Sequence, residues 1–480
     1  MKLWELLHSV PLTGETPDLD MEINSISYDT RTLEPGALFA ALPGARDDGA
    51  RYIREALDRG AAAVLCRERP EEDGPWLVTP DPRRALALLS ANWFRRPAEG
   101  LTLVGVTGTN GKTTTATLLY DLVRAMGYKA GLISTVVYKI DGREVEATHT
   151  TPDSIRLNAM MREMADAGCA YCFMECSSHA IVQERTRGLD FAGGIFSNIT
   201  HDHLDYHKTF AEYIRAKKLF FDGLPKGAFA LTNADDRNGR VMVQNTAAAV
   251  SAYSLRAMAD FRCKIVEMHL DGMLLRIDGQ ELWVGLLGRF NAYNLLAVYG
   301  AAVLLGLDRG EVLRVLSMLH AVSGRFEKIR AANGTTAIVD YAHTPDALEN
   351  VIQTIEEIRT PGQQLIVVCG CGGDRDRTKR PEMAAIAVKY ATTAVFTSDN
   401  PRHESPEAIL DDMVAGLEPG ARYLRIADRA EAIRTAVMLS RPGDIILVAG
   451  KGHETYQIVG DVKHPFDDRE EIKKRFALLN

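Results

Sequence analysis

The segment LTLVGVTGTNGKTTTATLLYDLVRAMG, residues 101–127, decides the fold of the chain. Its aliphatic start predicts a strand, its glycines predict a turn, and the stretch from Lys112 onward has the periodicity of a helix. The strand-like run KAGLIST follows, so the segment predicts a βαβ unit and a mainly parallel sheet. The pattern continues through CFMECSS, GGIFSNIT and GAFALTNADD, and the runs MLLRI and LWVGL, divided by DGQE, predict a β-hairpin.

Three blocks of sequence predict three α/β domains. Residues 1–98 contain short strand-like runs and predict a smaller domain of mixed α/β structure, and RRPAEG at residues 95–100 is the predicted linker. Residues 99–324 contain the βαβ segment and predict a central domain like that of phosphate-loop ATPases. In residues 325–480, strands such as TAIVDYA and QLIVVCG alternate with helical segments, which is typical of a doubly wound, Rossmann-like domain.

The composition of the 480-residue chain excludes several classes of protein. Hydrophobic residues make up 46% and charged residues 25%, which is typical of a globular protein and not of a disordered one. The net charge of −8 provides no general field for nucleic acid or for an anionic membrane. No apolar run approaches the ~18 residues of a membrane span. The start of the chain does not resemble a signal peptide, and seven unevenly placed cysteines favour reduced thiols in the cytoplasm.

The cysteine-rich run CAYCFMEC leaves two interpretations open. Cys169 and Cys172 form a CxxC pair with Cys176 nearby, which is compatible with zinc binding or redox chemistry. No second Cys/His pair stands at zinc spacing, and the run has the character of a buried strand in which cysteine acts as a small hydrophobe. The buried strand is the favoured interpretation.

The turn TGTNGKT, between the first strand and the helix, predicts a phosphate-binding loop. Its glycines let backbone N–H groups approach phosphate oxygens, and the helix N-terminus adds a favourable dipole. Lys112 would neutralise phosphate charge, and Thr113 would offer an oxygen to Mg²⁺. The loop is a variant of GxxxxGK[ST], because Gly105 lies six positions before Gly111 instead of five. The predicted nucleotide-phosphate-binding set is Gly108, Thr109, Asn110, Gly111, Lys112, Thr113 and Thr114.

This variant loop resembles the ATP loop of the Mur ligase family and of its relatives, the folylpolyglutamate and cyanophycin synthetases. The similarity extends in family order through further motifs: TTP (150–152), ECSSHA (175–180), SNITHDHLDYH (197–207), YIRAKKLF (213–220), GRFNAYNLLA (288–297), DYAHTPDAL (340–348), GCGGDRDRTKRPEM (370–383), DNPR (399–402) and GKGHE (450–454). The N-terminal segment YDTR…PGALFAALPG resembles the family's uridine-nucleotide domain. The resemblance implies a cytoplasmic, monomeric, ATP-dependent amide ligase of peptidoglycan synthesis.

The implied reaction adds meso-2,6-diaminopimelate to UDP-N-acetylmuramoyl-L-alanyl-D-glutamate. ATP would convert the D-glutamate carboxylate into an acyl phosphate, which an amine then attacks. Because two anions meet in the first step, cations must screen them. The implied catalytic set is Lys112, Glu175, His203 and Lys217, and the implied Mg²⁺ ligands are Thr113, Glu175, His203 and Lys217, the lysine as a carbamate. The alternatives are a solvated carboxylate, a structural histidine and a surface lysine.

The resemblance also assigns substrate contacts. The remaining ATP contacts would be Asn294, Arg325, Asp340 and His343, although Asn291 or Asn294 could instead cap a helix. The muramoyl dipeptide would be bound by Thr150, Thr151, Ser177, Gln183 and Arg185, although threonine and serine in such runs are also typical of helix caps. The uridine nucleotide would lie near Thr30, Ala45, Arg46 and Asp47, where the family usually has serine in place of Thr30.

The implied amino-acid site is Arg375, Asp399, Asn400, Pro401, Arg402, Gly450 and Glu454. A guanidinium at Arg402 would pair with the second carboxylate of diaminopimelate, which L-lysine lacks. A ligase that uses L-lysine or another amino acid is one alternative, and a turn is the alternative for DNPR. A phosphate-loop regulatory switch is a second alternative, but it has no use for DNPR or GKGHE. A nucleic-acid role is least favoured, because the net charge is unfavourable and no basic stripe is interleaved with aromatic residues.

Overall fold

The computed structural model describes residues 1–44, 48–71, 73–200 and 204–479. The chain forms two compact units. The first comprises Met1–Gly108, Leu119–Ser197 and Ala211–Ala252, and the second comprises Thr109–Leu118, Asn198–Phe210 and Tyr253–Asn480. Strands and helices alternate in both, so the predicted α/β class is confirmed. Within the described ranges, no helix has both the length and the apolar character that crossing a bilayer would require.

The N-terminal part of the first unit is a parallel sheet with the strand order β1-β2-β3-β4. Its elements are α1 (Leu3–Leu6), β1 (Ser25–Ser27), β2 (Ala37–Ala40), α2 (Ile53–Asp58), β3 (Ala63–Cys66), β4 (Trp76–Val78) and α3 (Pro82–Trp93), with 3₁₀ turns at Thr30–Thr32, Gly49–Tyr52 and Pro97–Gly100. Every residue of β2 and β3 is buried, which explains why ALFA and AVLC are continuous apolar runs. Helix α3 begins after Asp81, whose side chain accepts a hydrogen bond from Arg84 N.

The next elements run from residue 102 to residue 242. They are β5 (Thr102–Thr107), α4 (Lys112–Ala125), β6 (Ala130–Ile133), β7 (Val137–Ile140), β8 (Arg143–Glu146), α5 (Ser154–Asp166), β9 (Tyr171–Glu175), α6 (Ser178–Val182), β10 (Phe191–Phe196), α7 (Leu204–His207), α8 (Phe210–Asp222), β11 (Phe229–Asn233) and α9 (Gly239–Met242). The first unit contains the strand order β11-β10-β5-β9-β6-β7-β8, in which β11 to β6 are parallel and β7 and β8 are antiparallel. The predicted mainly parallel sheet is therefore confirmed. Strand β5 is central, so its carboxyl end opens at a position typical of ligand binding in α/β sheets.

The cysteine-rich run forms the buried interior of this sheet. Cys172 lies in β9, and Cys169 and Cys176 on either side of the strand are also buried. Burial raises the pKa of the Cys172 thiol far above its usual value, as expected for a cysteine that packs as a hydrophobe. The buried-strand interpretation is confirmed.

Strand β12 (Ala249–Ser254) leads into the second unit, where Tyr253 and Ser254 pair with β13. The following elements are β13 (Phe261–His269), β14 (Gly272–Ile277), β15 (Gln280–Val284), α10 (Arg289–Leu304) and α11 (Arg309–Leu316). Strands β14 and β15 are antiparallel, which confirms the predicted hairpin. Its turn residues Asp278 and Gly279 both have positive φ, as a type I′ turn requires.

The C-terminal part of the second unit is a mainly parallel sheet with helices on both faces. Its elements are β16 (Glu327–Arg330), β17 (Thr336–Asp340), α12 (Pro345–Ile358), β18 (Leu365–Cys369), α13 (Lys379–Tyr390), β19 (Thr393–Phe396), α14 (Pro406–Val414), β20 (Tyr423–Arg425), α15 (Arg429–Leu439), β21 (Ile445–Ala449), β22 (Tyr456–Val459), β23 (Val462–Pro465) and α16 (Asp468–Phe476). The strand order is β16-β17-β21-β18-β19-β20, and β16 alone is antiparallel to its neighbour among these described strands. The predicted doubly wound architecture is confirmed.

This sheet gathers four of the sequence motifs at one edge. DYAH follows β17, GCGGDRD follows β18, DNPR follows β19 and GKGHE follows β21. Because β17, β21, β18 and β19 are parallel neighbours, their carboxyl ends open on the same side. Motifs that are as far apart as residues 340 and 454 therefore meet in one place.

Candidate active site

The phosphate loop joins β5 to α4 in a conformation that depends on glycine. Gly111 has φ +86°, and a Cβ at this position would lie 2.5 Å from Asn294 Oδ1. Lys112 begins α4, and its Nζ donates a hydrogen bond to Thr109 O at 2.8 Å. Gly105 lies inside β5 and not in the loop. A Cβ at Gly105 would lie 2.5 Å from the Phe220 ring. Its place in the strand explains why its spacing differs from the usual motif.

Asn198 holds the phosphate loop and was missed by the sequence reasoning. Its Oδ1 accepts a hydrogen bond from Asn110 N at 2.9 Å, and its Nδ2 donates to Asn110 O at 3.1 Å. Its own carbonyl accepts from Thr109 N at 2.8 Å. One residue thus fixes three consecutive peptide units of the loop. Its presence in the motif SNITHDHLDYH was the signal that could have identified it.

The predicted ATP contact Asn294 lies inside a helix and is almost fully buried. Its Nδ2 donates to Asn291 Oδ1 at 3.1 Å, and its Oδ1 accepts from Thr115 Oγ1 at 3.5 Å. Helix α10 begins at Arg289 with Gly288 as its N-cap. The alternative that Asn291 or Asn294 caps the helix is therefore wrong, because both lie within it.

Arg325 and Asp340 both lie in the second unit, where Arg325 contacts the start of α4. Arg325 Nη2 donates to Thr113 Oγ1 at 3.1 Å, and its guanidinium lies over the Tyr341 ring at 4.6 Å. Asp340 ends β17 and is buried, and its Oδ2 accepts from Phe326 N at 2.7 Å. Burial raises the pKa of Asp340 to about 6, although the positive charge of Arg325 opposes the shift. His343 is exposed, with Nδ1 2.8 Å from Tyr341 O.

Glu175 ends β9 in the first unit as a buried carboxylate. Only 1% of the residue is exposed, and its Oε1 accepts from Thr135 N at 2.7 Å. Its Oε2 is buried and has no hydrogen-bond partner in the part of the chain that the structure describes. The solvated alternative is therefore wrong. A buried anionic oxygen without a donor is unfavourable by itself, but it is suited to a metal ion.

Lys217 lies on α8 in the same unit and is also buried, with 1% of the residue exposed. Its Nζ donates to Gly108 O at 2.7 Å and lies 4.6 Å from the centre of the Tyr213 ring. The surface-lysine alternative is therefore wrong. The predicted residues His203, Ala45, Arg46 and Asp47 lie outside the described residues.

The predicted dipeptide contacts lie close to Glu175 and to one another. Thr151 Oγ1 donates to Glu175 O at 2.7 Å and accepts from Ser177 N at 3.1 Å. Arg185 Nη1 donates to Thr151 O at 2.7 Å, and Arg185 Nη2 donates to Gln183 Oε1 at 2.7 Å. Thr150 Oγ1 accepts a hydrogen bond from Thr135 Oγ1 at 3.1 Å. Because Thr135 N also donates to Glu175, the five predicted residues are linked within the first unit.

The alternative that these residues cap helices is confirmed for Ser177 and is wrong for Thr150 and Thr151. Ser177 caps α6, since its side chain accepts from Ala180 N, whereas α5 is capped by Asp153 and not by Thr150 or Thr151. The predicted nucleotide contact Thr30 is buried and begins the 3₁₀ turn Thr30–Thr32.

Asn400 and Glu454 lie together at one side of the predicted amino-acid site. Asn400 Nδ2 donates to Glu454 Oε2 at 2.9 Å. The ammonium of Lys451, which is fully buried, donates to Asn400 Oδ1 at 3.0 Å and to Glu454 Oε2 at 2.8 Å. Glu454 is thus held by two donors through one oxygen. Lys451 was not among the predicted residues, although it lies within the motif GKGHE.

Two arginines form the basic side of this site. Arg402 Nη1 donates to Gly373 O at 2.9 Å, and Pro401 before it is buried. Burial lowers the pKa of Arg402, and the positive charge of Arg375 lowers it further. The two guanidinium groups therefore lie within electrostatic reach of each other, and an anion placed between them would relieve their repulsion. Asp399 O accepts from Gln457 Nε2 at 2.6 Å, and Gly450 N donates to Asp340 O at 3.0 Å.

Comparison with known proteins shows matches along most of the chain. The Mur ligase family, catalytic domain matches residues 22–92, the Mur ligase middle domain matches residues 106–302, and the Mur ligase, glutamate ligase domain matches residues 324–452. The chain is 52% identical to the UDP-N-acetylmuramoyl-L-alanyl-D-glutamate–2,6-diaminopimelate ligase of Cytophaga hutchinsonii, over 100% of both chains. It is 54% identical to the ligase of the same name from Parabacteroides distasonis, over 95% of each.

Two solved structures are also similar to this chain. The structure of a UDP-N-acetylmuramoyl-L-alanyl-D-glutamate–2,6-diaminopimelate ligase has a TM-score of 0.72 and 32% identity, and the match covers 100% of this chain and 99% of that one. The crystal structure of MurF ligase from Thermotoga maritima in complex with ADP has a TM-score of 0.61, with coverage of 95% and 98%. At 17% identity, this second match supports the fold alone.

Proposed function

The chain belongs to the Mur ligase family and has its three-domain α/β fold, and from this premise we propose that it is the ATP-dependent ligase that adds meso-2,6-diaminopimelate to UDP-N-acetylmuramoyl-L-alanyl-D-glutamate in peptidoglycan synthesis. The observation that carries the choice of amino acid is the pair Arg375 and Arg402, whose charges share one site with Glu454. The two guanidinium groups suit the carboxylate of an amino acid's end group, and the carboxylate of Glu454, which also accepts a hydrogen bond from Lys451, suits its ammonium. L-Lysine would leave the exposed Arg375 and the partly buried Arg402 without this anionic partner, which disfavours L-lysine as the substrate.

The proposed reaction has two steps. The D-glutamate carboxylate attacks the γ-phosphorus of ATP, the bond to the β-phosphate oxygen breaks, and ADP leaves. The amine of diaminopimelate then attacks the acyl phosphate, loses a proton and expels inorganic phosphate, so an amide bond forms. The loop from Gly108 to Thr114 would bind the phosphates through backbone N–H groups, with Lys112 neutralising their charge.

Mg²⁺ is the cation that we propose for the first step. Glu175 fits this role because its Oε2 is buried without a donor among the described residues. A carbamate on Lys217 would add a second anionic ligand in the same unit, and burial of the lysine supports a modified rather than a solvated side chain. Thr113 would supply a hydroxyl to the ion that accompanies ATP, and His203 is a further proposed ligand. When bound, Mg²⁺ screens the repulsion between the carboxylate and the phosphates.

Other contacts follow from the same assignment. We propose that Thr150, Thr151, Ser177, Gln183 and Arg185 orient the muramoyl dipeptide, since hydroxyls and a guanidinium suit a carboxylate and peptide amides. Thr30, Ala45, Arg46 and Asp47 would contact the uridine nucleotide, and Asn294, Arg325, Asp340 and His343 would complete the ATP site. The enzyme would act as a monomer in the cytoplasm.

The test is an amino-acid panel with ATP, Mg²⁺ and the UDP-linked dipeptide, in which ADP release and the UDP-linked tripeptide are both measured. The wild-type protein should release ADP with meso-diaminopimelate and much less with L-lysine. Arg402→Ala should depress the use of meso-diaminopimelate at least tenfold and leave the KM for ATP unchanged. ADP release in the absence of any amino acid and of the dipeptide would contradict the proposal.

A further inference from the structure

An ion pair between a buried arginine and a partly exposed glutamate lies next to the proposed amino-acid site. Arg380 is in the first turn of α13, and none of its side chain is exposed. Its Nη1 and Nη2 donate to the two carboxylate oxygens of Glu404 at 2.9 and 2.8 Å, which is a two-pronged contact. Hydrogen bonding to Arg380 lowers the pKa of Glu404 to about 2. An ion pair with one buried partner is weak evidence for stability, so its placement invites a functional explanation.

The pair connects the two loops that carry the site's arginines. Arg380 Nη2 also donates to Gly372 O at 3.2 Å, and Glu404 Oε1 also accepts from Asp374 N at 2.6 Å. Gly372 and Asp374 belong to the loop after β18, whereas Glu404 belongs to the loop after β19. A further bond between the two loops runs from Gly373 N to Asn400 O at 2.9 Å.

Both loops contain a residue in an unfavourable backbone conformation next to the site. Asp374, which precedes Arg375, has φ +54°, and Arg402 has φ +50°. Residues with a Cβ adopt this left-handed region at a cost, and they keep it only where the surroundings fix it. Glu404 fixes the first through the Asp374 N–H. The second is fixed by Arg402 N, which donates to Ile458 O at 3.0 Å, and by its Nη1 bond to Gly373.

The charges of the site make this support necessary. Burial is the main cause of the lowered pKa of Arg402, and the positive charge of Arg375 lowers this pKa further, so the two guanidinium groups repel each other. The carboxylates of Asp399, Glu454 and Asp374 act on Arg402 in the opposite direction. Without a ligand, nothing in their own contacts with each other favours the arrangement. A structure that holds both loops in advance lets the ligand carboxylate bind without reordering them, which increases affinity.

We propose that Arg380 and Glu404 are positioning residues that hold Arg375 and Arg402 ready for the second carboxylate of the incoming amino acid, and that they thereby set the preference for an amino acid with two carboxylates. The inference rests on the proposed function. It predicts that loss of the pair weakens binding of meso-diaminopimelate but not of ATP, because the contacts of the pair lie in the two loops of the amino-acid site and at Asp412 of α14.

Two variants of different severity test the inference. Glu404→Gln keeps the shape of the side chain but replaces one acceptor oxygen with a donor that faces Arg380. Arg380→Lys keeps the charge but loses the two-pronged contact. In each, we expect the KM for meso-diaminopimelate to rise at least tenfold, the KM for ATP to stay within twofold, and the activity ratio of meso-diaminopimelate to L-lysine to fall at least tenfold.

Arg377→Ala is the matched control. Arg377 lies in the loop after β18 and donates to Asp412, which also accepts from Arg380, through bonds of 2.9 and 3.0 Å. Its side chain is exposed and, in the described contacts, makes no bond to Glu404 or to the backbone of Gly372 and Asp374. Its kinetic constants should match those of the wild type. If Arg380→Lys fails to fold, Glu404→Gln decides the outcome. An unchanged activity ratio in folded Glu404→Gln, or an equal rise of both KM values, would overturn the inference. A wild-type protein inactive with meso-diaminopimelate would instead overturn the proposed function.

Discussion

Gly111→Ala tests the phosphate loop, and its effect can be worked out from two terms. The first is the backbone term, since a residue with a Cβ at φ +86° costs about 1–2 kcal/mol. The second is steric, because the new Cβ would lie 2.5 Å from Asn294 Oδ1. Overpacking of this kind costs about 1–3 kcal/mol.

Asn294 cannot move away without breaking further bonds. Its Nδ2 donates to Asn291 Oδ1 at 3.1 Å, and Asn291 Nδ2 donates to Leu287 O at 2.7 Å. We therefore expect the loop to shift, so that the steric term weakens ATP binding. Because about 1.4 kcal/mol is a factor of ten, the KM for ATP should rise about 10- to 100-fold. Steady-state ADP release at varied ATP concentration, with both other substrates saturating, measures it.

Gly127→Ala provides the matched control for the backbone term. Gly127 follows α4 with φ +90°, and no atom lies within 4 Å of the position of an added Cβ. This variant should lose about 1–2 kcal/mol of unfolding free energy and keep the wild-type KM for ATP. A folded Gly111→Ala protein with an unchanged KM for ATP would refute the assignment of the loop.

Three further predictions concern buried charges. The folded-state pKa of Asp340 is raised to about 6, so its contribution to stability is present when it is protonated and is lost as the pH rises through 6. Relative to Asp340→Asn, the wild type should gain about 1 kcal/mol of unfolding free energy in denaturant titrations when the pH is lowered from 7 to 5, and parallel curves for the two proteins would contradict this. Glu175→Gln should lower kcat at least 100-fold without lowering the melting temperature, because the carboxylate has one buried oxygen without a donor among the described residues. An unchanged kcat would contradict the proposal that Glu175 binds the metal ion. Removal of dissolved CO₂ should lower activity, and bicarbonate should restore it in the wild type but not in Lys217→Arg; insensitivity to bicarbonate would argue against the carbamate.

Much of this structure could be predicted from local sequence. The strand and helix around TGTNGKT follow from apolar periodicity and from glycine placement, and the hairpin turn at Asp278 and Gly279 follows from turn chemistry. The meeting of DYAH, GCGGDRD, DNPR and GKGHE, in contrast, depends on the order of the parallel strands, which local sequence does not contain. The family assignment made from these motifs is confirmed by the full-length relatives.

Other features depend on contacts between residues far apart in the chain and could not be predicted. Burial of Lys217 follows from packing of α8 near Gly108, more than a hundred residues earlier. The position of Asn294 within α10 follows from the start of the helix at Arg289, which the sequence did not locate. The support that Asn198 gives to the loop depends on the meeting of two segments. Local propensity contains no information on such meetings.

The central claim is that the D-glutamate carboxylate receives the γ-phosphoryl group of ATP. An isotope-transfer experiment tests it most directly, with the UDP-linked dipeptide labelled with ¹⁸O in that carboxylate and supplied with ATP, Mg²⁺ and meso-diaminopimelate. The account predicts that each inorganic phosphate released carries one ¹⁸O atom, because the carboxylate oxygen bonded to phosphorus leaves with it. Formation of the tripeptide product together with unlabelled phosphate would contradict the account.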